Sequence, residues 1–246
     1  MDIVYVVGRK ERENYLNLRM SLRSINRFGS GIDKVIVVGF PPKWLSTKVI
    51  ARVVPDRYLY KHSNILFCLE QVVAEGLVQG DFLYSSADHF YVKPVDFNSY
   101  PVYIKGELRR NANKSDSHYQ YHRSLYDTYL LCVKHGLPTL NYAQHCNTHM
   151  HSEVIKDIHD IILESYDFPY GVEPTSIVMN AWQTSAGAPK SQKRTDLKLA
   201  SAESVGEILI GIGENECFSI ADSIYNNRAI YDFFHTEYPI KSIYEK

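Results

Sequence analysis

Short, continuous apolar runs alternate with amphipathic stretches over the first hundred residues. Asp2 to Val7 is an apolar run closed by Gly8-Arg9, and a run without polar alternation predicts a strand buried on both faces. From Glu11 to Phe28 the apolar positions Tyr15, Leu18, Leu22 and Ile25 share one helix face, and Gly29 and Gly31 end it. Lys34 to Gly39 predicts a second buried strand, Pro41-Pro42 a rigid connector, and Val49 to Val54, stopped by Pro55, a third strand. Ile65, Leu69, Val72 and Leu77 mark a second helix, opened by Ser63 or Asn64 as N-cap and closed between Gly76 and Gly80. A fourth strand begins at Phe82. The β-α-β-β-α-β order predicts an α/β fold with a mostly parallel central sheet, helices on both faces and a mixed C-terminal part.

The fourth strand carries the first candidate chemistry. Its apolar run stops on Ser85-Ser86-Ala87-Asp88-His89, which sets a carboxylate and an imidazole at the carboxyl end of a buried strand. Open α/β sheets bind their ligands at that edge. Asp88 and His89 are therefore candidate catalytic residues, and Asp88 a candidate metal ligand.

Beyond Asp96 the pattern is less regular. Tyr100 to Gly106 predicts a strand, Glu107 to Asp116 a polar, basic loop, and the next helix sets His122, Leu125, Tyr126, Tyr129 and Val133 on one face before Gly136 ends it. Asn141 to His151 holds three imidazoles, His145, His149 and His151, which share a face if the segment is extended and so form a candidate metal-binding set. A helix capped by Ser152 follows, with Val154, Ile155, Ile158, Ile161 and Ile162 inward. Ser176 to Gln183 predicts a short helix, Ser185 to Arg194 a flexible basic lid, Leu197 to Ala200 a strand, Ala202 to Ile210 a helix and Phe218 to Phe234 a final helical region.

Composition narrows the function classes. With 246 residues, 45% hydrophobic and 22% charged, the chain can bury one sizeable core. A net charge of −1 gives no global basic field for nucleic acid, but the loops 109–123 and 190–194 are locally basic and able to track a phosphate backbone. Cys68, Cys132, Cys146 and Cys217 form no C-x-x-C pair, so free thiols in a reducing compartment are expected. The opening segment lacks the pattern of a signal peptide and no apolar run approaches ~18 residues, so a cytoplasmic location is expected. There is no P-loop and no G-x-S-x-G elbow, and Gly211-Ile212-Gly213 lacks a strand-turn-helix context, which excludes several common α/β enzyme classes. Arg19, Arg23 and Arg27 form an i, i+4, i+8 row, either a solvated face or, near a strand's carboxyl edge, a diphosphate clamp.

Several of these segments, in this order, resemble a group of short glycosyltransferases of bacteriophages and bacteria that is related to the Stealth-type capsule polysaccharide transferases. The resemblance rests on Asp2 to Val7, Leu18 to Ile25, Lys34 to Gly39, the Ser86-Ala87-Asp88-His89-Phe90 step with Lys93 to Asp96, and the terminal Lys241 to Glu245. It implies one GT-A-like domain over residues 1–246, with residues 1–100 binding the nucleotide-sugar and 101–246 the acceptor. It also implies a nucleotide-sugar donor, a UDP-sugar foremost, and a divalent metal, Mn²⁺ or Mg²⁺. Asp88 matches the last carboxylate of the family's acidic motif, although Ser86 and Ala87 stand where a paired Asp would. His149 is the first choice to complete the metal site, ahead of His145 and His151. Thr195-Asp196-Leu197-Lys198 resembles a downstream Asp-x-Lys feature, with Lys198 meeting a donor phosphate.

On this reading Val7, Gly8 and Arg9 at the end of the first strand, with Arg19 and Arg23, hold the donor. Asp96, Asp116 and Asp196 are possible bases. Arg109, Arg110, Lys114 and Arg194 are expected to contact the acceptor, which in the phage members is a hydroxymethylated or already glycosylated pyrimidine of their own DNA. The alternatives are a surface-polysaccharide acceptor and a non-catalytic carbohydrate- or nucleic-acid-binding module on the same fold.

Overall fold

The computed structural model of the chain describes residues 1–9, 15–116, 118–185, 187–194, 197–224 and 226–246. In chain order, β1 (Asp2–Val7) leads to α1 (Leu16–Phe28), β2 (Gly29–Ser30), β3 (Lys34–Gly39), β4 (Val49–Val53), α2 (Lys61–Ala74) and β5 (Asp81–Ser85). Next come β6 (His89–Tyr91), β7 (Val95–Asp96), β8 (Val102–Ile104), β9 (Gly106–Glu107), α3 (Tyr119–Lys134), β10 (Leu140–Asn141) and β11 (Thr148–His151). The chain then forms α4 (Ser152–Asp157), α5 (His159–Ser165), α6 (Pro174–Trp182), β12 (Ser191–Lys193), β13 (Lys198–Leu199), α7 (Val205–Ile212), β14 (Cys217–Ile220) and α8 (Arg228–Glu237).

The central sheet has the order β11-β5-β1-β3-β4. Its strands are parallel except β11, which returns antiparallel along β5 with Thr148 opposite Tyr84. Continuous apolar runs in β1 and β3 fit the two buried faces of such a sheet. Alternate residues divide between them: Ile3, Tyr5, Val35 and Val37 pack against Leu18, Leu22 and Ile25 of α1, whereas Val4, Ile36 and Val38 pack with Leu66, Leu69 and Val72 of α2. A smaller sheet, β13-β14-β6, extends from the tip of β5 and carries α7 and α8 on a third core built around Phe90, Phe218, Phe233 and Phe234. The expected α/β architecture with a mostly parallel sheet is thus present. Among the described residues no helix is long and apolar enough to cross a membrane.

Five local expectations fail for identifiable reasons. α2 starts at Lys61, ahead of the expected cap. Asn64 instead builds the turn before the helix, accepting from Arg57 and Tyr58 N–H at 2.9 Å each and donating to the Tyr58 carbonyl at 2.7 Å. On α3 the buried side comprises Ser124, Leu125, Asp127, Thr128, Leu131 and Cys132, and Val133 is exposed. The hydroxyls and carboxylate of that face have partners there: Thr128 Oγ1 accepts from Glu173 N–H at 2.8 Å and Asp127 pairs with Arg123 at 2.9 Å.

The single helix expected after Ser152 is interrupted at Ile158, and its cap is the His151 imidazole, whose Nδ1 accepts from Glu153 N–H at 3.2 Å. The expected helical region from Phe218 opens instead as β14, all four residues of which are buried between β13 and β6. A short apolar run buried on both faces looks alike as strand or helix, and here the open edge of β6 decides it. The expected basic lid also contains a strand, β12, paired parallel to β8.

Candidate functional site

The site is built where β5 stops. The chain reverses through Ser86-Ala87-Asp88 into β6, and two hydrogen bonds close the turn: His89 N–H donates to the Ser86 carbonyl at 3.2 Å, and Ser86 N–H donates to His89 Nδ1 at 3.3 Å. The His89 imidazole, 3% exposed and accepting at Nδ1, thereby shapes the turn that presents Asp88. Helix α1 clips β6 in place with two buried hydroxyls. Ser21 Oγ donates to the His89 carbonyl at 2.6 Å, and Ser24 Oγ accepts from Tyr91 N–H at 3.1 Å.

Asp88 is half-buried amid cations. Burial pushes its carboxyl upward, but the His89 ring, the Lys61 ammonium, a hydrogen bond with Ser86 and the Lys198 ammonium hold it below the ordinary carboxylate range. It is consequently ionised at neutral pH. Lys61 comes from the first turn of α2, whose N-terminus has no side-chain cap among the described residues, and Lys198 from β13. Tyr84, on the same strand tip, has its hydroxyl pKa raised by burial and by the carboxylates of Glu173 and Asp88. Glu173 is itself committed to capping α6, accepting from Ser176 N–H at 2.6 Å and Thr175 Oγ1 at 2.7 Å.

Aromatic rings line the side of α2 nearest Lys61. Tyr60 meets Tyr170 at 4.9 Å between centroids, Tyr119 meets Tyr170 at 5.9 Å, and His62 meets Tyr121 at 6.3 Å. Gly171 lets this rim close: its φ is +67°, and a Cβ there would lie 2.6 Å from Ser63 Oγ. Burial, with help from Lys61, pulls the His62 pKa down to about 4, so this ring is neutral near pH 7.

Of the expected site residues, Asp88, His89 and Lys198 come together, whereas His149 stays apart from them. It lies opposite Leu83 in mid-strand, its Nε2 bonds the Tyr100 carbonyl at 2.6 Å, and the carboxylate it senses is Asp81, at the other end of β5. Burial lowers its pKa, so it too is neutral. His151 caps α4, 3.5 Å from Asp81, and His145 precedes β11. Among the described residues no group of three or more His, Cys, Asp or Glu side chains is placed to hold a metal ion. With one carboxylate among two lysines, the Asp88 cluster does not fit the divalent metal that the resemblance implies.

Arg19 and Arg23, expected at the donor, both face Glu245. Arg23 is locked to Glu245 by Nε at 2.8 Å and Nη2 at 3.1 Å, and also donates to the Tyr238 carbonyl at 3.1 Å. Arg19 stacks over Trp44 at 4.5 Å with Nε 3.6 Å from Glu245. Both guanidiniums secure the C-terminal segment.

Val7 and Gly8 stand at the sheet edge: the Val7 carbonyl accepts from Phe40 N–H at 2.9 Å, a Cβ on Gly8 would meet nothing within 4 Å among the described residues, and Arg9 lies over the Phe40 ring at 5.1 Å. In the basic loops Arg109 pairs with Asp116 at 3.4 Å, Arg110 with Glu107 at 2.9 Å, and Lys114 is exposed. Arg194 lies over Tyr103 at 4.5 Å, beside the thiols of Cys146 and Cys217. Those two cysteines, distant in sequence, hydrogen-bond to each other as free thiols. Of the candidate bases, Asp96 caps a one-turn 3-10 helix by accepting from Asn98 N–H at 3.1 Å, and Asp196 lies outside the described residues.

Sequence reasoning missed Lys61, because the helix was expected to start after it. It also missed Gln144, Asn147 and Ser219, whose buried side chains carry polar atoms without a hydrogen-bond partner among the described residues. Compared with known protein families and with curated proteins, the chain matches neither.

Proposed function

We propose that the chain is a nucleotide-sugar-dependent glycosyltransferase of GT-A-like type, with the donor seated at the carboxyl edge of β5. The observation that carries this reading is the ionised Asp88 held between Lys61 and Lys198 at the tip of a central strand. Cleavage of a sugar–phosphate bond leaves a diphosphate on which negative charge grows, and two ammonium groups placed beforehand stabilise it without rearranging. The uncapped N-terminus of α2 adds backbone N–H groups of the same sense. An acid held below its ordinary pKa is a weak base, so Asp88 serves best by accepting a hydrogen bond from a ligand hydroxyl and fixing its position. Residues 1–100 supply the strand edge and Lys61 of the donor site, and residues 101–246 add Lys198 to it and complete the acceptor side.

For the acceptor we favour a hydroxymethylated or already glycosylated pyrimidine of phage DNA. The rim of Tyr60, Tyr119, Tyr121 and Tyr170 beside Lys61 suits stacking on an unpaired base, and base–aromatic stacking tolerates many sequences. A surface-polysaccharide acceptor is the second reading, favoured by the carboxylates that already pair Arg109 and Arg110 and so weaken a DNA-tracking role. The test is transfer of labelled sugar from UDP-glucose, UDP-galactose and UDP-N-acetylglucosamine to DNA containing hydroxymethylcytosine and to oligosaccharides. Label in DNA, lost in Asp88→Asn, supports the first reading and label in oligosaccharide the second. Absence of both transfer and nucleotide-sugar binding defeats the glycosyltransferase reading, whereas binding without transfer identifies a non-catalytic module.

A further inference from the structure

Gln144 and Asn147 are 8% and 2% exposed, and among the described residues none of their four side-chain nitrogen and oxygen atoms has a hydrogen-bond partner. Buried polar atoms are nearly always paired, because an unpaired one forfeits its hydration with nothing in return. Four such atoms on two residues three apart therefore need an explanation. Their position supplies one. Because Thr148 lies opposite Tyr84 in an antiparallel pair, the residues just before β11 run toward the carboxyl end of β5, the end from which the Ser86–Asp88 turn leaves. Ser219, whose Oγ is also without a partner, reaches the same turn from β14, where it pairs with His89.

The chemistry of the side chains restricts the ligand. A carboxamide is neutral and offers N–H donors and a carbonyl acceptor side by side, while a serine hydroxyl does both. A phosphate accepts only and a metal ion takes only the oxygens, so either leaves half of these atoms unpaired. Vicinal sugar hydroxyls, each a donor and an acceptor, satisfy both halves. A nucleobase edge has the same mixed character, and position separates the two. Along the sheet order the charged groups sit at β5, the stacked Arg9 and Phe40 mark the β1–β3 side, and the carboxamides lie on the β11 side. A nucleotide-sugar carries its base and its sugar on opposite sides of the diphosphate, so a diphosphate at Asp88, Lys61 and Lys198 directs the sugar toward β11.

We propose that Gln144 and Asn147, with Ser219 Oγ, hold the hydroxyls of the transferred sugar, an inference that rests on the reading of the β5 edge as a nucleotide-sugar site. The atoms are covered in the ligand-free chain, so the connection between β10 and β11 gives way as the sugar enters.

Thermal unfolding of wild type, Gln144→Leu and Asn147→Leu, with UDP and with UDP-glucose, UDP-galactose or UDP-N-acetylglucosamine, tests this. In the wild type a UDP-sugar is expected to raise the melting temperature beyond the rise given by UDP, because its sugar adds contacts to the native state alone. Each leucine variant is expected to melt no lower than wild type without ligand, since an apolar group of similar size replaces an unpaired polar one, and to keep the UDP rise while losing the extra rise. Gln144→Met and Asn147→Ala carry the same comparison if a leucine variant does not fold. Variants that melt lower without ligand yet keep the full extra rise show that the carboxamides serve the fold and overturn the proposal. Equal rises with UDP and every UDP-sugar in the wild type also overturn it, leaving the donor site standing. No rise with any of these ligands removes the donor site and the inference together.

Discussion

Two clusters, each of one carboxylate beside two cations, differ in one respect. Around Glu245, the Arg23 guanidinium closes two ion-pair bonds and a carbonyl bond, and Arg19 is stacked on Trp44. Around Asp88, Lys61 and Lys198 act across space on a carboxylate with which they form no hydrogen bond among the described residues. The first cluster is complete without a ligand and fixes the C-terminal segment to α1 and to the connector at Trp44. The second retains donors, an acceptor and nearby unpaired amides. A charge row in a sequence suggests either role, and the distinction lies in whether the fold itself supplies the partners.

The contrast is sharpest for single substitutions. Glu245→Ala leaves two guanidiniums without their carboxylate, one of them largely buried, and is expected to destabilise the fold by ~3 kcal/mol while leaving donor affinity unchanged, as read by denaturant unfolding and by titration with nucleotide-sugar. Asp88→Asn is expected to do the reverse: transfer falls about 10²-fold, or ~2.7 kcal/mol, with little change in the unfolding midpoint. If both substitutions act on stability alone, the two clusters are equivalent and the site assignment fails.

How much of this was legible in the sequence follows from the range of the interactions involved. β1, β3 and the stop of β5 just ahead of Asp88 could be read because buried strands are written as local apolar runs. The mates of Arg23, His149 and Gln144 were not legible, because Glu245, the Tyr100 carbonyl and the sheet edge reach them through long-range folding. The same holds for β14, whose strand character depends on the open edge of β6, and for Lys61, which faces Asp88 only because α2 begins before its apolar stripe does.

Smaller effects refine the comparison. Lys61→Ala and Lys198→Ala are each expected to weaken nucleotide-sugar binding about tenfold, ~1.4 kcal/mol, and to reduce its dependence on salt, with no loss of fold stability. A similar loss in Arg19→Ala would move the phosphate site back to α1.

His62 gives a pH signature. Its folded-state pKa of about 4 lies below the ordinary 6.5, so between those values the unfolded chain binds the extra proton. Its contribution is complete above about pH 6.5 and fades as the pH falls toward 4. His62→Asn is therefore expected to flatten the loss of stability over that window by on the order of 1 kcal/mol, measured by denaturant unfolding from pH 7 to pH 4.

Hydrogen–deuterium exchange with and without a saturating UDP-sugar locates the ligand most directly. The account predicts slowed exchange in residues 60–63, 85–89 and 143–147, with no change in 19–23 or 239–246. Protection centred on the Arg19, Arg23 and Glu245 cluster, or none around Asp88, would contradict it.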